Sequence, residues 1–305
     1  MAIAAPTFPS PSTIQPARRY TPFELWHLLS LDAPSVAALW TVFFASAAHV
    51  RLPWIAPVAM ATGVWVLYAL DRILDGRSAD AGRTHARQLR ERHIFHARHE
   101  RWFIAGSAIL LPVVLLLCFR LVPPAVQRDM LLLSLAVAAY IAAIHLFSIS
   151  AQRRVPKEML VGVLFSSATV IPAWARAPLH HAPLLFGAAL FATLSWLNCV
   201  AIETWESTPA HASQHIHPAT LIAGRHLTVA ACGLAAISTA AAAASAIIVP
   251  GSIAIPIAAA CALAAGLLAL LSIERRRLTP MALRIAADAA LLSPLVILPR
   301  LLLAR

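Results

Sequence analysis

The sequence predicts an all-α protein: a polytopic membrane helical bundle of about nine transmembrane helices. Three observations carry that prediction. Of 305 residues, 60% are hydrophobic and only 12% are charged, with a mean hydropathy of +0.76. A soluble domain of this length keeps a mixed exterior and has nowhere to hide so much apolar surface. Apolar runs near the ~20 residues needed to cross ~30 Å of hydrocarbon recur along the chain. Arginines collect in the stretches between those runs. The runs are continuous and rich in Ala and Leu rather than alternating, which excludes a β-barrel.

The expected spans fall over 33–50, 53–75, 103–122, 128–149, 158–175, 184–206, 227–249, 252–272 and 281–303. Residues 1–24, with Pro6, Pro9, Pro11 and Pro16 and no apolar run, read as a flexible tail rather than a cleavable signal peptide. Residues 25–305 read as the transmembrane domain. Pro112, Pro172, Pro256 and Pro294 lie inside expected spans and are expected to kink them.

The net charge is +11, and 23 of the 24 basic residues are arginine, with Lys157 the single lysine. No basic stripe with interleaved aromatics appears, so the charge does not point to nucleic acid. It follows the membrane. Arg77, Arg83, Arg87, Arg90, Arg92, Arg98 and Arg101 fill one loop; Arg153, Arg154 and Lys157 a second; Arg275, Arg276 and Arg277 a third. These loops and Arg18 and Arg19 fall on one side of the expected topology, which places the N-terminus in the cytoplasm. The near-exclusive use of Arg points to a GC-rich bacterial genome, hence to a multi-pass protein of the cell inner membrane.

The candidate chemistry sits at the cytoplasmic ends of the second and sixth spans. Asp71 and Asp75 are one turn apart on one helical face, as are Glu203 and Glu206 at i,i+3, with Asn198 eight residues before Glu206. Neighbouring carboxylates at a hydrocarbon boundary need a cation beside them. One reading supplies a hard divalent ion such as Mg²⁺, which takes oxygen ligands and is shared with substrate phosphates. The other pairs the acids with nearby arginines, Arg72 or Arg77 for the first cluster and Arg225 or Arg275–Arg277 for the second.

The segment Tyr68-Ala-Leu-Asp71-Arg72-Ile-Leu-Asp75, followed by an arginine-rich loop, resembles the first aspartate-rich motif of the UbiA superfamily of intramembrane prenyltransferases. The segment from Arg153 and Arg154 through Lys157 to Gly162 is similar to that family's basic loop. Glu203 and Glu206 fall where its second acidic motif ends the sixth span. That second motif is degenerate, because Ile202 stands where a ligand is expected; in the first, Leu67 occupies the usual Asn position.

The resemblance implies a Mg²⁺-dependent transfer of an isoprenyl group from a polyprenyl diphosphate to an aromatic acceptor at the cytoplasmic face. Asp71, Asp75, Asn198, Glu203 and Glu206 would hold the metal, the four acids being the catalytic set. Tyr68, Arg72, Arg153, Arg154, Lys157 and Asn198 would bind substrate. Trp65, Tyr68, Trp196 and Trp205 lie near the two motifs, as wall for an allylic cation or as interfacial anchors. The incomplete motifs keep open a non-catalytic relative that binds an isoprenoid or lipid without transferring it. A transporter is the third reading, disfavoured because the acids lie at helix ends rather than at mid-membrane.

His93, His96 and His99 recur every three residues among arginines and read as a basic helix lying on anionic headgroups rather than a zinc site. Asp288, inside the last span, is expected to pair with Arg284 one turn earlier. The four cysteines lie in apolar segments without CxxC spacing and read as small core residues.

Overall fold

The computed structural model describes residues 20–80, 91–146, 156–206 and 216–303. Among these the regular structure is helical throughout. The α-helices are α1 (Pro22–Leu28), α2 (Asp32–Ala47), α3 (Ile55–Asp80), α4 (Glu91–Arg98), α5 (Glu100–Leu121), α6 (Pro124–Leu146) and α7 (Lys157–Trp174). They continue as α8 (His181–Glu206), α9 (Pro218–Arg225), α10 (Leu227–Ile248), α11 (Ala254–Glu274), α12 (Pro280–Ala290) and α13 (Pro294–Leu303).

Among the described residues, six stretches are long and apolar enough to cross a membrane: Ile55–Leu74, Glu100–Leu121, Pro178–Glu206, Leu227–Ile248, Ala254–Arg277 and Pro280–Leu303. A seventh arises if α1 and α2, which meet at 87°, count as one bent span. The expected count of about nine is corrected accordingly. Two of the expected spans fall short: α2 has only 16 residues, and α7 has 18, about 27 Å of helix, and opens on Lys157 and Glu158.

Helix α1 begins inside the segment expected as tail. Thr21 and Glu24 form a reciprocal capping box, the Glu24 carboxylate accepting from the Thr21 amide at 2.8 Å. The turn to α2 passes through Ser30, a non-glycine residue at φ 58°.

The core lies where α2, α7, α8 and α11 meet. Trp40, Phe43, Phe44, Phe191 and Leu194 are fully buried there, with Trp40 stacked on Phe191 at 3.8 Å between ring centroids. Helix α11 contributes small side chains, Ala258, Ala260, Ala264 and Ala265, which let α8 and α10 approach closely. Outward-facing apolar residues are abundant: Leu115, Leu116 and Phe119 on α5 and Val229 and Ile237 on α10 are all more than half exposed. Patches of that extent mark a lipid-facing surface.

The last span is broken between α12 and α13. Trp40 Nε1 donates to the Leu291 carbonyl at 2.9 Å, and Ser293 Oγ donates to the Ala260 carbonyl at 2.9 Å. The break thus costs no unsatisfied Leu291 carbonyl in the hydrocarbon region.

Gly162 sets the α7–α8 crossing. A Cβ there would lie 2.7 Å from the Ala192 carbonyl oxygen and 2.9 Å from the Trp196 amide nitrogen, both rigid backbone. Gly162→Ala is expected to lower stability by about 1–3 kcal/mol, the usual range for overpacking. Thermal unfolding in detergent checks this; Gly233→Ala, with nothing within 4 Å of its added Cβ, is the control.

Candidate functional site

A polar cavity of about 200 Å³ opens at one end of the bundle. Six helices line it: Asp32 from α2, Tyr68 from α3, Tyr140 from α6, Lys157 and Glu158 from α7, Asn198, Cys199, Ile202 and Glu203 from α8, and Arg284 and Asp288 from α12. Helical spacing explains the α8 set, since 198, 199, 202 and 203 form one face. Arg284 and Asp288 are likewise one turn apart on α12.

Four of the residues singled out from sequence, Tyr68, Lys157, Asn198 and Glu203, meet on this cavity. Asp71 is exposed one turn beyond Tyr68, within electrostatic reach of the Tyr140 hydroxyl. Asp75 continues α3, but its side chain lies outside the described residues, as do Arg153 and Arg154. Arg72 is turned inward. It is 2% exposed, donates to Ser30 Oγ, and lies 5.3 Å over the Tyr68 ring.

Glu206 faces elsewhere. Its carboxylate is gripped by Arg284 Nη1 at 3.2 and 3.3 Å, and it lines a second, largely apolar cavity of about 880 Å³ between α1, the end of α8 and α12. The expected Arg284–Asp288 pairing is corrected here. Asp288 instead accepts from Asn198 Nδ2 at 3.0 Å. The reason is helical phase: α12 runs against α8, so its two polar residues meet two different α8 residues.

The histidine helix also differs from expectation. His96 is fully buried, its ring stacked 4.0 Å from Phe103 and its Nε2 3.0 Å from Ser30 Oγ. The Ser30 hydroxyl thus accepts from Arg72 and is hydrogen-bonded to His96 Nε2 as well. The strained Ser30 backbone is therefore fixed by two buried partners. His99 spends Nδ1 on the Phe95 carbonyl at 2.9 Å.

Sequence reasoning missed His27 and Asp32. They are 2% and 1% exposed, and His27 Nδ1 lies 2.7 Å from Asp32 Oδ2. The Asp32 carboxylate faces the Arg72 and Arg284 guanidiniums as well. The available signal was an acid directly ahead of an apolar run. Glu158, noted only as part of the basic segment, is 6% exposed and accepts from Thr220 Oγ1 at 2.8 Å.

Two oxygens on the cavity have no hydrogen-bond partner although buried: Glu158 Oε1 and Asn198 Oδ1. Lys157 Nζ stands 3.9 Å from that Glu158 oxygen. The unpaired Glu158 oxygen beside a second carboxylate, Glu203, forms a donor set suited to a hard divalent cation.

The class these observations define is a polytopic helical membrane protein with a charged cavity at one end of its bundle. Family models, curated proteins and solved structures were compared with the chain, and none matches it.

Proposed function

We propose that the chain is a UbiA-like intramembrane prenyltransferase, moving an isoprenyl group from a polyprenyl diphosphate to an aromatic acceptor. One observation carries the reading: the three segments that bear the resemblance converge on one cavity, through Tyr68, through Lys157 and Glu158, and through Asn198 and Glu203. The arginine-rich loops favour a cytoplasmic N-terminus in the cell inner membrane.

The donor set fits Mg²⁺. Glu158 Oε1 and Glu203 would hold it, with Asp71 at the cavity's outer edge, and when bound it would neutralise diphosphate charge. The chain's own groups do the rest. Lys157, half exposed at the mouth, attracts the phosphate oxygens as a point charge. As the allylic C–O bond breaks, its electron pair leaves with diphosphate. Tyr68 and Tyr140 present ring faces to the resulting cation. The acceptor ring then forms the new bond at that carbon and loses a proton.

A second reading has one observation behind it. Arg284 ties up Glu206, and Ile202 stands where the resemblance expects a ligand, so fewer α8 acids remain for metal than the family's motif supplies. That favours a relative that holds an isoprenoid or lipid without transferring it.

The test is purified protein with Mg²⁺, a labelled allylic diphosphate and a panel of aromatic acceptors. Diphosphate release is expected, falling roughly 100-fold or more in Glu203→Gln and in Lys157→Ala, the scale seen when one charge-stabilising group is lost. Saturable donor binding without release overturns catalysis in favour of the binding relative. Ion-driven uptake into proteoliposomes would replace both with a transporter.

A further inference from the structure

We infer that His27, Asp32 and Asp288 form a binding site for a divalent transition-metal ion of the Mn²⁺, Fe²⁺ or Zn²⁺ class. This site is separate from the Glu158–Glu203 side of the cavity and does not depend on prenyl transfer. The three side chains offer one imidazole nitrogen and two carboxylate oxygens, all within 4.8 Å of one another. The spacing is that of a coordination shell. His27 Nδ1 and Asp32 Oδ2 are 2.7 Å apart, and two ligands about 2.1 Å from one ion at right angles stand about 3 Å apart.

Charge supports the same reading. Two carboxylates brought together away from water repel strongly unless a shared proton or a cation lies between them, and Asp32 and Asp288 are close enough for either. The neighbouring guanidiniums do not fill that place. Arg72 donates to Ser30 and Arg284 to Glu206, and among the described residues neither hydrogen-bonds to Asp32 or Asp288. They lend only long-range attraction to the two carboxylates.

Asn198 is the independent sign of a ligand. It is 5% exposed, borders the same cavity as Asp32 and Asp288, and leaves Oδ1 buried without a partner. Its Nδ2 meanwhile orients Asp288 through the 3.0 Å bond to Oδ1 of that carboxylate. A bond of this kind fixes a ligand from behind, and the amide oxygen is a neutral further donor. The nitrogen ligand decides the metal class. Imidazole suits first-row transition ions, whereas Mg²⁺ prefers all-oxygen octahedra and keeps its waters.

The experiment uses the full chain in detergent, stripped with chelator and titrated with Co²⁺ alone. One Co²⁺ per chain is expected, with visible bands showing a nitrogen ligand, displaced by Zn²⁺ and not by excess Mg²⁺. His27→Gln and Asp288→Asn are each expected to weaken Co²⁺ at least ~10-fold, while Glu203→Gln leaves it within about two-fold. The wild-type spectrum carries the test even if a variant misfolds. No stoichiometric Co²⁺ in wild type, or a spectrum of oxygen ligands only, overturns the site. Co²⁺ binding with no prenyl transfer sinks the proposed function and leaves this site standing.

Discussion

Arg284→Met is expected to destabilise the folded bundle by about 3–5 kcal/mol, among the largest effects of any single replacement here. The side chain is 9% exposed and its partner Glu206 13%, with Nη1 at 3.2 Å from the carboxylate. Removing the guanidinium takes from Glu206 the partner that holds both of its carboxylate oxygens, at the edge of a largely apolar cavity. It also removes the charge that Asp32 and Asp288 feel. The double variant Glu206→Gln with Arg284→Met discriminates between these contributions. If the Glu206 pair dominates, the second change restores most of the thermal midpoint lost to the first. A double variant as weak as the single would show instead that Arg284 acts through Asp32 and Asp288.

Trp40→Ala is expected to cost a similar amount, about 3–5 kcal/mol, for a different reason. The indole is fully buried and touches three places at once. It stacks on Phe191, packs edge-on to Phe43 with centroids 5.5 Å apart, and donates to the Leu291 carbonyl. Truncation opens a cavity in the centre of the bundle and strands a carbonyl where α12 ends. Trp40→Phe separates the two losses: it keeps a stacking ring and drops only the hydrogen bond, an expected cost of about 1–2 kcal/mol. Unfolding of both variants in the same detergent measures the split. Equal losses in the two would mean that the carbonyl, not the packing, dominates.

The fold class was legible because lipid-facing helices such as α5 and α10 need apolar residues all round. Span number was not. An apolar stretch over 33–50 reads as a full crossing, but the chain bends sharply at Ser30 and leaves α2 short. Nothing in the identity of a serine announces a positive φ. At the site, Tyr68, Lys157, Asn198 and Glu203 were visible because polar groups at helix ends stand out against hydrocarbon. His27 and Asp32 were not, since an acid in the first turn of a helix is ordinary helix chemistry. Their meaning comes from Asp288, far along the chain, which only tertiary contact supplies. The Glu206–Arg284 pair was hidden for a related reason: Arg284 had a nearer acid in sequence, and helical phase sent it to a more distant one.

The hydrogen bond from Trp40 to Leu291 joins residues 251 positions apart. Helix α2 is thus completed by the end of α12. While the protein is being synthesised and threaded into the bilayer, α2 has no partner for its indole, and the cavity lacks the wall that bears Arg284 and Asp288. The bundle must keep a slot open until α12 has been made. Contacts of such separation close slowly, so a chain stalled before Pro280 would sit in the membrane with a central chamber that has never formed.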